Sequence, residues 1–229
     1  MYAASWSGGK DGCLACHRAA QEGYRVEYLL NTISATHERV RFHGIPKDLV
    51  AAQAEALGVG LVQQPTTDDD YEGGFREALR SLLPKGLEGV VFGDIYTDEH
   101  LEWCRRMCAD VGVEAVHPIW GMRSEDVVAE FMAEGFEAVV VSGHPDYFTE
   151  AQMGARVTPE FIEWCRSVEG LDVCGEKGEY HTVVIDGPTF RRRIEITDSR
   201  PVRVNGHCFL DIRSWTIADK CEATCALPR

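Results

Sequence analysis

Between residues 2 and 141 short apolar runs alternate with amphipathic segments, and this alternation limits the fold more than any other feature of the chain. The runs 2–6, 26–31, 60–63, 89–92, 113–116 and 138–141 are continuous in apolar character, as strands covered on both faces are. The segments between them, 13–22, 49–57, 75–83, 98–110 and 124–134, read as helices. Phe75, Ala78, Leu79, Leu82 and Leu83 recur at helical spacing, as do Val50, Ala54 and Leu57 behind Pro46, a favoured first-turn residue. Ser124 reads as the cap of the last of these helices. Strand and helix in turn predict an α/β fold, a parallel doubly wound sheet with 138–141 as its last strand.

The pattern changes after about Gly154. Thr158-Pro159-Glu160 opens another helix, 170–181 is a loop rich in glycine and acid, and 182–185, 192–197 and 202–212 read as antiparallel strands. The expected division is a large unit over 1–145 and a smaller α+β unit over 146–229. A chain of 229 residues is long enough for both. The apolar runs fall far short of the roughly 20 residues a membrane helix needs, and a basic stretch followed by a long apolar core is missing from the amino terminus. The cytoplasm is the expected location, with no membrane partner. The net charge of −14 repels a polyanion, so nucleic acid is a disfavoured partner. The densest basic run, Arg191-Arg192-Arg193, reads first as a solvated face and second as a small-phosphate patch. The nine cysteines read mainly as reduced, buried thiols. Metal binding and a redox role for Cys221 and Cys225 are the lesser alternatives. Assembly with further copies of the chain stays open.

Ligands on a parallel sheet sit outside the carboxyl ends of its strands. The polar stretches 7–12, 31–44, 93–94 and 142–143 all follow strands and are expected to gather there. Ser7-Gly8-Gly9-Lys10-Asp11-Gly12 is the most informative of them. Glycines let the backbone approach a phosphate, and the unpaired N–H groups of the following helix attract it. The spacing is not that of the G-x4-G-K-[ST] loop. Asp94, at a strand end behind Gly93, is a candidate for a ribose or a metal. His37 and His43 lie in a long loop able to cover a base, and His181 is a candidate general base. Trp103 and Trp120 read as packing residues.

The loop resembles the SGGxDS phosphate loop of the N-type ATP pyrophosphatases. "VVFGDIYTDEHLEWCRRMCADVGVEAVHPIWG" at 90–121, "CGEKGEYHTVVIDGPTF" at 174–190 and "RFHGIP" at 41–46 are similar to segments of the diphthine–ammonia ligase family. The resemblance runs to about Ile196. It implies a Rossmann-like phosphate-loop domain of the HUP type with a smaller carboxyl-terminal domain. It also implies ATP and Mg²⁺ as cofactors, ammonium as nitrogen donor, and a carboxylate-bearing acceptor, in this family elongation factor 2 carrying diphthine. Ser7, Gly8, Gly9, Lys10, Asp11, Gly12, Asn31, His43, Gly93 and Asp94 would then hold the nucleotide, Lys10 as the phosphate-facing cation and Asp11 as the metal ligand. Lys10, Asp11, Glu176, Glu179 and His181 would carry the chemistry, an acyl adenylate formed with loss of pyrophosphate and opened by ammonia. Two departures stand out: Gly12 replaces the family's loop serine, and Arg156 lies one position away from the family arginine. The same chemistry on another acceptor, a nucleotide sensor with little turnover, and tRNA thiolation through Cys13 and Cys16 are the competing expectations.

Overall fold

The computed structural model describes residues 1–220. Five parallel strands, β1 (Tyr2–Ser5), β2 (Val26–Ser34), β3 (Gly60–Thr66), β4 (Gly89–Val91) and β5 (Glu114–Val116), stand in the order β3-β2-β1-β4-β5. Between them run α1 (Lys10–Gln21), α2 (Lys47–Leu57), α3 (Tyr71–Leu82) and α4 (Asp98–Ala109). The apolar stripe predicted for α3 buries Phe75, Ala78, Leu79 and Leu82 on one face of the sheet, beside Met107 and Cys108 of α4. The other face carries α1, α2 and α5 (Ser124–Ala133). Pro65 lies in β3, an edge strand, where its missing N–H costs no ladder bond. α2 ends where Gly58 turns left-handed at φ 74° and donates its N–H to the Ala54 carbonyl.

The second sheet is antiparallel, β7 (Tyr180–Asp186), β6 (Glu137–Gly143), β9 (His207–Asp219) and β8 (Arg192–Val204) in spatial order. The expected parallel strand 138–141 is therefore corrected: it lies within β6, between β7 and β9. A continuous apolar run reports burial on both faces, and an interior antiparallel strand packed against helices satisfies it equally well. The change of sheet falls between β5 and β6, ahead of the expected division after residue 145. The strand read over 202–212 is also corrected. Asn205 and Gly206, at φ 50° and 87°, make the two-residue turn of the β8–β9 hairpin. α6 (Pro159–Ser167) begins as expected, with the Thr158 hydroxyl accepting the Phe161 N–H at 3.3 Å. Ser124 caps nothing; its hydroxyl donates to Asp172 at 2.7 Å.

The two sheets share one core. Leu14 and Ala15 of α1, Val139 to Val141 of β6 and Val183 to Ile185 of β7 belong to a single buried cluster. β7 thus runs directly beside the start of α1, and this contact shapes the site.

Candidate functional site

β1 ends at Ser5 and α1 begins at Lys10, so the glycine loop is the turn from strand into helix. Gly8 holds φ 90°, and its carbonyl accepts from Gln53 Nε2 at 3.0 Å and from the Val184 N–H at 2.8 Å. A Cβ on Gly9 would stand 2.8 Å from His43 Cε1, and one on Gly93 would stand 2.5 Å from the Gly12 nitrogen. Both glycines are dictated by close approach. Gly12 itself has room, for its Cβ would meet only the Ser5 carbonyl oxygen at 3.6 Å. Ser7, Asp11 and Gly12 reach the surface, whereas Gly8, Gly9 and Lys10 are buried. The amino end of α1 therefore opens on the cleft through Asp11 and Gly12, with the dipole that favours an anion.

Lys10 does not face that opening. Its side chain is 2 % exposed. The ammonium donates to the Cys174 carbonyl and, at 3.0 Å, to Asp11 Oδ2, and it lies 4.9 Å from the centre of the Tyr180 ring. Burial opposes the charge, but Asp11, Tyr180 and Cys174 outweigh it and hold the lysine ionised. A buried ammonium must find acceptors, and Lys10, expected to face the phosphates, takes them from both units in this structure, Asp11 of the loop itself and Cys174 of the acidic loop. The Lys10 N–H is also spoken for, donating to Thr182 Oγ1 at 3.1 Å.

The two glutamates of the acidic loop separate by role. Glu179 is 5 % exposed, and its carboxylate accepts the N–H groups of Asp172 at 3.3 Å and Lys177 at 2.9 Å. It folds the loop and does not face the cleft. Glu176 reaches across to the turn that follows β4, where Oε1 accepts the Ile95 N–H at 3.0 Å. Ligand atoms of Glu176, Asp94 and His100 lie within 4.8 Å of one another. Burial, reinforced by Asp11 and Asp94, raises the Glu176 carboxyl to about 7 against the pull of the Ile95 N–H. His100 Nδ1 stands 3.3 Å from Asp94 Oδ1, and the Cys104 thiol donates to Asp94 Oδ2 at 3.5 Å. Asp11 Oδ1 is buried without a hydrogen-bond partner among the described residues. An orphaned carboxylate oxygen beside further carboxylates fits a small cation such as Mg²⁺ or ammonium. His100 escaped the sequence reading because its tie to Asp94 spans the turn from β4 into α4.

Asp94 and His100 also line a cavity of about 470 Å³ with Ser5, Arg41, Tyr71, Phe92 and Trp103, at the carboxyl ends of β1 and β4. Its aromatic walls can stack a base. Trp103 packs as expected, 4.9 Å from Phe75, and faces this cavity as well. Of the other expected nucleotide residues, Asn31 is turned inward, donating to the Trp6 carbonyl at 2.8 Å and accepting from Gln63 at 3.1 Å. His43 is buried against Gly9, with Nδ1 3.0 Å from the Thr182 carbonyl, and its ring lies 4.5 Å from that of His181. Burial lowers His43 to about 4 and His181 well below its usual range. Two imidazoles tilted at 35° to each other thus meet where the units join, and burial favours the neutral form of both. His37 lies on the rim of a second cavity, about 580 Å³, between the 37–44 loop and the β8–β9 hairpin.

The remaining expectations resolve simply. Arg192 pairs with Glu55 and Arg193 lies near Glu137 and Glu195, whereas Arg191 is exposed and lines a cavity beside Gly23 and Arg25. Cys104 and Cys108 are buried on α4, and burial raises Cys16 to about 12 and Cys13 further, which leaves both as thiols. Cys221 and Cys225 lie outside the described residues. Arg156 pairs with Glu137, away from the cleft.

Two family models match the chain. The diphthamide synthase N-terminal domain covers residues 1–115 and the diphthamide synthase C-terminal domain covers 123–216. Among curated proteins, the diphthine–ammonia ligase of Rattus norvegicus is similar at 26% identity, spanning 92% of this chain and 88% of its own. The diphthine–ammonia ligase of Homo sapiens is similar at 24% over the same shares. That of Schizosaccharomyces pombe is 24% identical over 94% of this chain, which corresponds to 39% of the yeast protein.

Proposed function

The chain belongs to the diphthamide synthase family, and from that premise we propose that it is an ATP-dependent, AMP- and pyrophosphate-forming amide ligase. The observation that carries the proposal is the meeting of the open amino end of α1, the Asp94 strand end and Glu176 of the second unit around one cleft. The phosphates would lie over Ser7 to Gly12, backed by the α1 dipole, and the base in the aromatic cavity. The acceptor carboxylate attacks the α-phosphorus, the bond to the bridging oxygen breaks, and pyrophosphate leaves. Ammonia then attacks the acyl carbon and AMP departs with the electron pair. Carboxylate oxygen is a poor leaving group, and adenylation divides that barrier into two smaller ones. Mg²⁺ held by Asp11 and Asp94 would supply charge neutralisation on the departing pyrophosphate. Glu176, whose carboxylate reaches the same cleft beside Asp94, is the proposed acceptor of the proton from ammonium, which must become ammonia before it can attack.

Elongation factor 2 carrying diphthine is the proposed acceptor, on the strength of the relatives' names, and the cytoplasm the proposed location. Among the described residues no helix is long and apolar enough to cross a membrane. A small carboxylate acceptor is the second reading, favoured by the 580 Å³ cavity lined by Val40, Phe42, Val202, Val204 and Phe209, a size usual for small ligands. The test is incubation with ATP, Mg²⁺, ammonium and diphthine-bearing elongation factor 2. AMP, pyrophosphate and amide in equal amounts are expected. ADP as product would overturn the adenylation chemistry, and AMP formation indifferent to the factor would favour the second acceptor.

A further inference from the structure

Beside Gln53 and Asp11 of the first unit, the second unit supplies three fixings of the phosphate loop. The Lys10 N–H is bonded to Thr182 Oγ1, the Gly8 carbonyl to the Val184 N–H, and the Lys10 ammonium to the Cys174 carbonyl. Thr182 is 1 % exposed, so nothing from solvent shares that hydroxyl. Cys174 in turn opens the loop that carries Glu176: its N–H donates to Asp172 Oδ1 at 2.7 Å, and Asp172 Oδ2 accepts from Tyr96 at 2.9 Å and Ser124 at 2.7 Å. Tyr96 follows Asp94 and Ile95, the strand end that Glu176 meets. A closed path therefore runs from the amino end of α1 through Lys10 to the acidic loop and back to β4.

We infer that Lys10 is a positioning residue that fastens the acidic loop to the phosphate loop, so that nucleotide capture sets Glu176 against Asp94. The inference rests on the nucleotide site proposed above and is independent of which acceptor is used. It opposes the simplest expectation for a lysine in a phosphate loop, that it binds the phosphates itself. A lysine acting on phosphate would change ATP affinity most. A lysine acting through Cys174 would change the behaviour of the 172–179 loop and the chemical step, with affinity nearly kept.

The test uses the full chain and Lys10→Met, which keeps most of the side-chain volume and removes the donor. ATP affinity is read by calorimetry, amide exchange over 172–179 with and without ATP by mass spectrometry, and kcat and KM separately once an acceptor is in hand. In the wild type, ATP is expected to slow exchange in 172–179. In Lys10→Met that slowing is lost while ATP affinity stays within roughly threefold, and kcat falls by roughly 30-fold with KM for ATP little changed. Lys10→Arg, which keeps a donor for the Cys174 carbonyl, restores the ATP-dependent slowing. Lys10→Leu, likewise without a side-chain donor for the Cys174 carbonyl, is the second variant should Lys10→Met not fold, and is expected to lose the slowing in the same way. A loss of ATP affinity of tenfold or more in folded Lys10→Met would overturn the inference, as would wild-type exchange in 172–179 that ignores bound ATP. Failure of the wild type to bind ATP at all would instead overturn the nucleotide site, and the inference with it.

Discussion

At the scale of single residues, the glycines around the loop differ in what they tolerate. Gly12 sits in the first turn of α1 with only the Ser5 carbonyl near a new Cβ. Gly12→Ser should fold and supply a hydroxyl donor beside the phosphates, tightening ATP about fivefold, or about 1 kcal/mol. Calorimetry checks this, and weaker binding in a folded variant would mean that the bare backbone there is needed. Gly93→Ala is the contrasting case. Its Cβ would press on the Gly12 nitrogen at 2.5 Å and the Gly12 Cα at 2.7 Å, both backbone atoms that cannot swing away. An overpacking cost of about 1–3 kcal/mol is expected, with a lower melting temperature and weaker ATP binding together. The sequence made the loop legible because a strand, a glycine pair and a helix start are local signals. It could not assign Lys10 or Asn31, because each is turned by a partner far along the chain, Cys174 and Trp6, nor Glu179, whose partners are near in sequence but meet its carboxylate only through the fold of an irregular loop.

At the scale of elements, the parallel half was legible nearly strand for strand, since helical and strand periodicities differ and each run is bounded by polar residues. β6 was misassigned because burial on two faces is common to parallel strands and interior antiparallel ones. The hairpin β8–β9 was blurred for another reason: Arg203, Val204, Asn205, Gly206 and His207 carry no break in composition, and only the Asn-Gly pair marks the turn. That pair has a measurable consequence. Asn205 holds φ 50°, which residues other than glycine and asparagine adopt at a cost of about 1 kcal/mol. Asn205→Gly should leave thermal stability nearly unchanged. Asn205→Val should lower it by several degrees in a melting experiment, since a β-branched side chain resists positive φ.

At the scale of the whole molecule, the seam between the units carries a pH dependence. His43 is lowered to about 4 by burial, from about 6.5 when unfolded. Between those values the unfolded chain binds the proton and the folded chain does not. The stabilising contribution is therefore complete above about pH 6.5 and declines as pH falls toward 4. From pH 7 to pH 5 His43 alone should cost about 2 kcal/mol of stability, with His181, lowered in the same direction, adding to the slope. Denaturant titrations at the two pH values measure it, and His43→Gln should flatten the difference. The same seam bears on how such a protein can be inherited. The amino-terminal half supplies only part of what holds its own loop: besides Gln53 and Asp11, the partners of Gly8 and Lys10 are Val184, Thr182 and Cys174, all beyond residue 170. A gene fusion that joined this chain's first 115 residues to the second half of a distant relative would preserve both folding units and still disturb the junction, unless those contacts came with it. The two halves are separate in architecture yet have to be passed on as one unit, because the floor of the first is finished by the wall of the second.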